Sequence, residues 1–439
     1  PQIYNFRYNI FSSEWPVANR VIELYLQKKS ENGGWERQIN GISNNEKAVL
    51  LLEKRTFKEL LVDMELRNLQ NNIVGQEASR LFARAEINMG VEAFRDSLYS
   101  LLKRNTFLNI KFENMLDTLG EISRTDIRSL LGEWEKTTPL PFYSLGEPTL
   151  TKITNKGGEE FFVLKMLISN NSDYDGIIHM DIRKDGWWYQ PLEDPRAKTK
   201  IEMPAHTSKE FVSVWEDQIR NVEINTMVSG NLPNIISQDI NNVKQERNKI
   251  VKDSIYILPE SSFDLPGEII VDNEDSTLFI LSAPPIVGLL PKWLDEVEET
   301  PFKYSGISWW RPPLQWTATT NDRYYGKYIR SAFVIKSGDG SQTATWKVPV
   351  PEVGQYDLYY HVFKDDELRW NNNLQGEYHF KVKYGSEVED AYVNLRKANE
   401  GWEQLGSYYF DSDTIRVVLT DECKLRSVTA DAVKIVKRY

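Results

Sequence analysis

The sequence predicts a multi-domain α + β protein: an N-terminal helical domain, then an Ig-like β-sandwich, then a C-terminal jelly-roll-like β-sandwich. Three observations carry that expectation. Apolar residues recur at a spacing of about 3.6 through the first third, then change to alternation beyond Pro139 and Pro141. Short runs rich in Val, Ile, Tyr and Thr, separated by Gly- and Asp-containing turns, fill the last third. A chain of 439 residues is also too long for one core, and about 150 residues per domain gives about three domains.

The helical pattern runs through residues 17–29, 46–68, 73–88, 91–105 and 111–121, with Gly90 and Asn109 as breaks. Thr125-Asp126 reads as the cap of a further short helix ending near Trp134, and the helical domain spans 1–145. Proline then stops helix, and residues 160–170, 176–182, 198–203, 210–215 and 222–225 alternate as strands of a sandwich over 146–232. Residues 233–267 read as a linker, with 241–251 polar and helix-like. The final module, 268–439, opens on a strand at 268–271. Its further strands fall at 328–336, 343–348, 355–363, 378–384, 391–395, 406–410, 414–420 and 432–436. Alternation is sharpest in Tyr356-Asp357-Leu358-Tyr359-Tyr360-His361-Val362, the signature of a sheet with one dry and one wet face. Ser337-Gly338-Asp339-Gly340 reads as a hairpin turn. A Pro- and Trp-rich stretch at 282–315 reads as a long excursion from the module's first strands.

Composition narrows the function. The chain is 41% hydrophobic and 12% aromatic, enough to fill its cores and too much for bulk disorder. A formal charge of −11 argues against a nucleic-acid partner, which calls for a concentrated basic face. No apolar run approaches the ~20 residues of a membrane-spanning helix. Because the chain opens on Pro1 rather than Met, we expect a trimmed piece of a longer protein, with any signal peptide or tether upstream. Cys423 is the single cysteine, which excludes an internal disulfide framework and a multi-cysteine metal site.

Motifs for bond-breaking chemistry are missing. The four histidines, His179, His206, His361 and His379, include no pair four apart and none in a helical segment, so the helical zinc-hydrolase motif is absent. There is no Gly-x-Ser-x-Gly elbow and no phosphate-cradling loop. No catalytic residue, metal or cofactor is therefore expected. His361, with Tyr359, Tyr360 and Arg369, can be drawn as a set for proton abstraction from an acidic sugar, but alternating strand residues account for it more simply. Asp272-Asn273-Glu274-Asp275 offers hard oxygen ligands without the spaced loop diagnostic of calcium, and reads as a solvated acidic turn.

The aromatic residues carry more information. Trp309-Trp310 and Trp316 precede Tyr324-Tyr325, and Trp370 lies within Arg369-Trp370-Asn371-Asn372-Asn373. Sugars present apolar C–H faces rimmed by hydroxyls, so flat rings beside Asn and Arg suit them. The candidate ligand-binding set is Trp309, Trp310, Tyr324, Tyr325, Arg369, Trp370 and Asn372. The competing reading has each Trp plugging the gap beneath its own loop. Trp346 and Trp402 are expected in the core, and Trp187-Trp188 forms a second aromatic loop of ambiguous role.

Two resemblances follow from ordered motifs. Residues 268–439 resemble the golvesin C-terminal domain, through Ile270-Val271-Asp272-Asn273, Tyr324-Tyr325-Gly326, Thr345-Trp346, Gly354-Gln355-Tyr356, Gly401-Trp402-Glu403-Gln404-Leu405-Gly406 and Ala430-Asp431-Ala432-Val433. The stretch 282–315 departs from that pattern. The resemblance implies a β-sandwich of the kind also found in xanthan lyase-type proteins, and a role in carbohydrate or cell-surface attachment. Residues 73–145 more weakly resemble the closing helices of M1-type gluzincin metallopeptidases, through Met89-Gly90-Val91-Glu92-Ala93-Phe94-Arg95-Asp96, Phe107, Phe112 and Trp134 ahead of Pro139. That family's zinc motif has no counterpart here, so no catalytic residue carries over.

The expectation is a non-catalytic C-terminal region of an exported, periplasmic or extracellular bacterial protein that binds polysaccharide or cell-surface glycan. An upstream domain of the parent protein is its other expected partner. The alternatives are a polysaccharide-active enzyme of the xanthan lyase type and a structural spacer of an M1-like peptidase.

Overall fold

The computed structural model describes residues 8–27, 34–184, 190–240, 242–247, 251–259, 267–282, 302–308, 311–364 and 376–438. The chain divides into two compact units: Pro1–Asn32 with Asn44–Phe263, and Gly33–Ser43 with Asp264–Tyr439. Helices gather toward the N-terminus and the remainder is built from β-sheets, the α + β organisation read from the sequence.

In the first unit the described helices are Ala18–Leu26, Asn44–Lys54, Phe57–Val62, Gln70–Met89, Val91–Arg104 and Phe112–Ser123, followed by 3-10 turns at Arg128–Glu135. The expected single helix over 46–68 is instead broken in two. Thr56 Oγ1 accepts the Glu59 N–H (3.2 Å) while Glu59 Oε2 accepts the Thr56 N–H (2.9 Å). This capping box starts a new helix where the periodicity alone showed continuity. Gln70–Met89 buries Ile73, Val74, Ala78, Leu81, Phe82 and Ala85, one stripe at helical spacing. An aromatic knot fastens the bundle, with Trp134 lying 5.0 Å from Trp15 and 4.8 Å from Phe57 between ring centroids. Each such buried ring contributes roughly 1.5–3 kcal/mol.

Two sheets complete this unit. One runs in the order Ile235–Asp239, Ile219–Asn225, Gly176–Lys184, Gln190–Pro191, with Lys198–Met203 also paired to Gly176–Lys184. The other runs Val243–Arg247, Thr149–Thr154, Glu160–Asn170, Thr207–Trp215, Ser254–Pro259, with Tyr143–Leu145 added on Glu160–Asn170. Leu164, Met166 and Ile168 from one sheet share a core with Ile178, Met180 and Ile182 from the other. Residues 235–259, expected within a linker, thus supply three strands, among them a parallel partner of Thr149–Thr154. In Val243–Arg247 the charged side chains face solvent and mask the alternation that a half-buried strand shows. Buried polar contacts tie the helices to the sandwich. Glu86, on the long helix, accepts from Tyr25 Oη (2.8 Å) and from Lys200 Nζ, and Glu46 Oε1 accepts the Asn234 N–H (2.9 Å).

The second unit contains a four-stranded sheet ordered Glu268–Val271, Val433–Lys437, Gly354–Val362, Gly401–Phe410. A five-stranded sheet is ordered Phe279–Leu281, Thr343–Pro349, Thr414–Thr420, Glu377–Tyr384, Glu387–Asn394, and a three-stranded one Thr317–Thr320, Ser331–Lys336, Ser427–Ala430. Their shared core holds Trp346, Tyr356, Tyr360, Phe380 and Phe410, all fully buried. Trp346 therefore occupies the core position expected of it. The short helix Gly34–Asn40 also belongs to this unit, although it lies within the expected helical domain. Two glycines permit its close docking: a Cβ on Gly41 would sit 2.4 Å from Ser305 N, and one on Gly306 1.8 Å from Ile39 O. Thr320 Oγ1 donates to Gly41 O (2.5 Å) and closes the contact.

Candidate functional site

The outer face of the four-stranded sheet gathers side chains suited to a flat ligand. Along Gly354–Val362, Tyr356, Leu358, Tyr360 and Val362 turn inward, leaving Asp357, Tyr359 and His361 half-buried on the other side. Register completes the row. His361 stands opposite Trp402, Asp357 opposite Ser407, and Tyr359 beside both Gln404 and Lys434. An irregularity between Leu358 and Tyr359 shifts the pairing with the Gly401–Phe410 strand at mid-length.

Asp431 anchors one end of this row. It is completely buried, and its Oδ2 lies 2.9 Å from His361 Nδ1. The same carboxylate accepts the Tyr325 N–H, 3.2 Å from each oxygen, while its backbone carbonyl accepts from Trp346 Nε1 (3.2 Å). Burial pushes the Asp431 carboxyl up, with the charge and hydrogen bond of His361 acting against it. Asp272 is pushed well above the carboxylate range by burial and then by the nearby Asp431. With His361 Nδ1 engaged by a carboxylate, Nε2 is the atom through which the ring can meet a ligand.

Around this anchor the rings converge. Tyr325 lies 5.8 Å from His361 and 5.1 Å from Trp402, and His361 meets Trp402 edge-on at 5.1 Å between centroids. Lys434 Nζ sits 4.8 Å from the Trp402 ring centre and 5.4 Å from that of Tyr359, and donates to Glu268 Oε1 at 3.0 Å. Further along, Asp357 accepts from Gln404 Nε2 (3.1 Å), Arg438 Nε (2.8 Å) and Ser407 Oγ. The Ser407 and Arg438 hydrogen bonds hold its carboxyl below the usual range. Apolar ring surface thus borders a strip of fixed hydrogen-bonding groups, a combination that favours hydroxylated ligands.

Of the sequence-derived candidates, Tyr325 joins this cluster. Tyr324 turns the other way, is buried, and packs on Phe363 at 4.6 Å. Trp309, Trp310, Arg369, Trp370 and Asn372 lie outside the described residues, as do Trp187 and Trp188. Trp402 corrects an expectation: it is half-buried on the outer face rather than in the core, because its register partner His361 is an outward residue. The acidic turn is also less solvated than expected. Asn273 is buried with its amide on the Ser331 hydroxyl (2.7 Å), and Glu274 accepts from Tyr304 Oη at 3.1 Å. Lys434 was not singled out in the sequence, Asp431 appeared only within the Ala430-Asp431-Ala432-Val433 motif, and Tyr359 only beside His361 in the proton-abstraction set, although the outward positions of the 356–362 alternation pointed to this face. Among the described residues no group of three His, Cys, Asp or Glu side chains is placed to hold a metal ion.

No curated protein matches the chain. Among solved structures, it is similar to a β-glucuronidase of Bacteroides uniformis at 12% identity, covering 70% of this chain and 31% of that one, with a TM-score of 0.19. It is also similar to β-glucuronidase 2 of Bacteroides uniformis covalently bound to cyclophellitol-6-carboxylate aziridine, at 11% identity, 79% and 38% coverage and TM-score 0.19. Murine APRIL shares 13% identity, with 25% of this chain and 85% of that one covered and a TM-score of 0.15. The chain spans about a third of the first glucuronidase, 31%. Similarity at these TM-scores carries no argument about the site. The family model of the Golvesin C-terminal domain matches residues 312–437, and the second unit of this chain accordingly carries a Golvesin C-terminal domain.

Proposed function

We propose that the chain is a non-catalytic C-terminal region of an exported protein, and that its golvesin-type module binds carbohydrate on the outer face of the four-stranded sheet. The supporting observation is the convergence of Tyr325, His361 and Trp402 within 5.1–5.8 Å beside the polar strip of Asp357, Gln404 and Lys434. In this reading Trp402 and Tyr325 pack on the C–H face of a sugar ring while His361 Nε2 and Gln404 meet hydroxyls. The helical part follows an upstream domain, in the order that the M1-type resemblance implies, and the parent protein lies in the periplasm or outside the cell. A glycan array of acidic and neutral polysaccharides probed with the full chain tests the binding. Retention on at least one glycan is expected, and no retention on any removes the proposal.

The pairing of His361 with buried Asp431 favours one second reading, a polysaccharide lyase. There, His361 Nε2 takes the proton from the carbon next to a uronate carboxylate, the C–O bond to the leaving sugar breaks with that oxygen taking a proton from water, and an unsaturated uronate forms. Incubation with xanthan-like or uronic polymers then raises ultraviolet absorbance, and His361→Ala abolishes the rise. Binding without any such rise leaves the non-catalytic reading in place.

A further inference from the structure

A second recess lies wholly within the first unit. A cleft of about 320 Å³ is walled by the long helix Gln70–Met89, the turns Arg128–Glu135, the Pro139–Pro141 connection and loops of the sandwich. Its volume is at the lower end of small-ligand sites.

One wall group lacks what burial demands. Glu77 is 1% exposed, and its Oε1 accepts a long hydrogen bond from Arg80 Nη1 (3.3 Å), which also donates to Thr138 Oγ1 at 2.9 Å. Its other oxygen, Oε2, is buried and accepts no hydrogen bond of good geometry among the described residues, although the Trp134 side chain also acts as a donor toward this carboxylate. Leaving a buried carboxylate oxygen without a donor costs on the order of 1–3 kcal/mol. The Tyr143 hydroxyl is also buried and without a hydrogen-bond partner among the described residues, and it packs so tightly on the cleft-lining Gly176 that a Cβ there would lie 1.8 Å away.

The charge of the walls indicates what is missing. Four carboxylates (Glu77, Glu133, Asp175 and Glu202) face two guanidinium groups, Arg80 and Arg84. Both cations already lie against wall carboxylates, Arg80 against Glu77 and Arg84 Nε against Glu202 at 3.5 Å. Glu133 is paired in turn with Lys136 Nζ (2.9 Å), so the cleft keeps one carboxylate, Asp175, in excess together with the spare acceptor, beside apolar surface from Trp134, Leu81 and Ile177. An anion would meet this excess at close range, and a neutral alcohol would leave it uncompensated.

We propose that this cleft binds a primary ammonium or guanidinium group carried on a short apolar chain. The cation donates to Glu77 Oε2 and the chain lies along Trp134 and Ile177. The site is separate from the sheet face described above and does not depend on what that face binds. The same chemistry is offered by a free alkylamine and by the basic side chain of a peptide.

Ligand-observed NMR titration of the full chain with n-butylammonium, n-butanol and butyrate tests the proposal. Butylammonium is expected to bind at least about tenfold more tightly than either control, the size of one charge-assisted hydrogen bond. Glu77→Gln removes that advantage. Because Glu77 sits in a helix core, Glu133→Gln on the exposed rim serves as the second variant, with a smaller weakening expected. Nα-acetyl-lysine amide identifies the source: tighter binding than butylammonium points to a peptide, weaker binding to a free amine, and both support the site. Equal binding of ammonium and alcohol, or no saturable binding of the cation, overturns it. So does unchanged affinity in folded Glu77→Gln, or in Glu133→Gln if the first variant does not fold.

Discussion

Lowering the pH from 7 to 5 should destabilise the first unit through His179. This side chain lies on the strand Gly176–Lys184, half-buried and directly across from Lys200 in register. Burial, then the charge of Lys200, push its pKa from 6.5 down to about 4. The unfolded chain takes up a proton near 6.5 and the folded one near 4, so between these values the unfolded state binds more protons. Stability is thus lost as pH falls through that window and is fully present above it. At 1.36 kcal/mol per pK unit the whole shift amounts to at most about 3 kcal/mol, of which about 2 kcal/mol is lost by pH 5. For a unit of this size that corresponds to a fall in Tm of roughly 4–8 °C. Other carboxylates titrate nearby, so the assay is the difference between wild type and His179→Gln in calorimetric melts at pH 7 and pH 5. The variant should lose less stability over this interval. An identical fall in both proteins would refute the reasoning.

Three other substitutions probe the frame. Lys200→Ala strands the buried carboxylate of Glu86 with Tyr25 as its remaining partner and should cost about 3–5 kcal/mol by urea titration, whereas Lys200→Met combined with Glu86→Leu should cost clearly less. Trp346→Ala empties the centre of the golvesin-type core and should cost about 3–5 kcal/mol, read as loss of the second unit's melting transition. Gly306→Ala drives a methyl group onto the Ile39 carbonyl and should cost about 1–3 kcal/mol, with faster amide exchange in Gly34–Asn40 as the local readout.

Much of this architecture was legible in the sequence. The strand at Thr414–Thr420 falls where alternation put it, Gly354–Val362 is displaced by one residue from the expected 355–363, and Glu377–Tyr384 begins one residue early. These strands have one dry and one wet face, so pattern reports burial directly. The division of Asn44–Lys54 from Phe57–Val62 was written in Thr56-Phe57-Lys58-Glu59, a capping signature that the surrounding periodicity obscured. The strands between 235 and 259 were less visible. Val243–Arg247 exposes Lys244, Gln245, Glu246 and Arg247, so it owes its place to backbone pairing with Thr149–Thr154 rather than to an apolar face. The docking of Gly34–Asn40 onto a unit that otherwise begins more than two hundred residues later depends on non-local contacts that no local pattern announces.

The candidate face was half legible. Tyr325 was reached by composition, as one ring in an aromatic and polar neighbourhood. Trp402 was read as core because tryptophan is usually buried, and only its pairing with His361 places it on the outer face. Asp431 entered only as part of the motif Ala430-Asp431-Ala432-Val433 and was given no place in the candidate site. Its importance comes from complete burial and from the two groups, His361 and Tyr325, that it holds.

The central claim is that this face binds carbohydrate through its rings, and affinity electrophoresis tests it most directly. The full chain, Tyr325→Ala and Trp402→Ala are run through gels containing an acidic or a neutral polysaccharide. Wild type should be retarded in at least one gel, and each variant should weaken that retardation roughly tenfold while keeping its melting temperature near that of wild type. Retardation of equal strength in all three proteins, or none in wild type, would contradict the account.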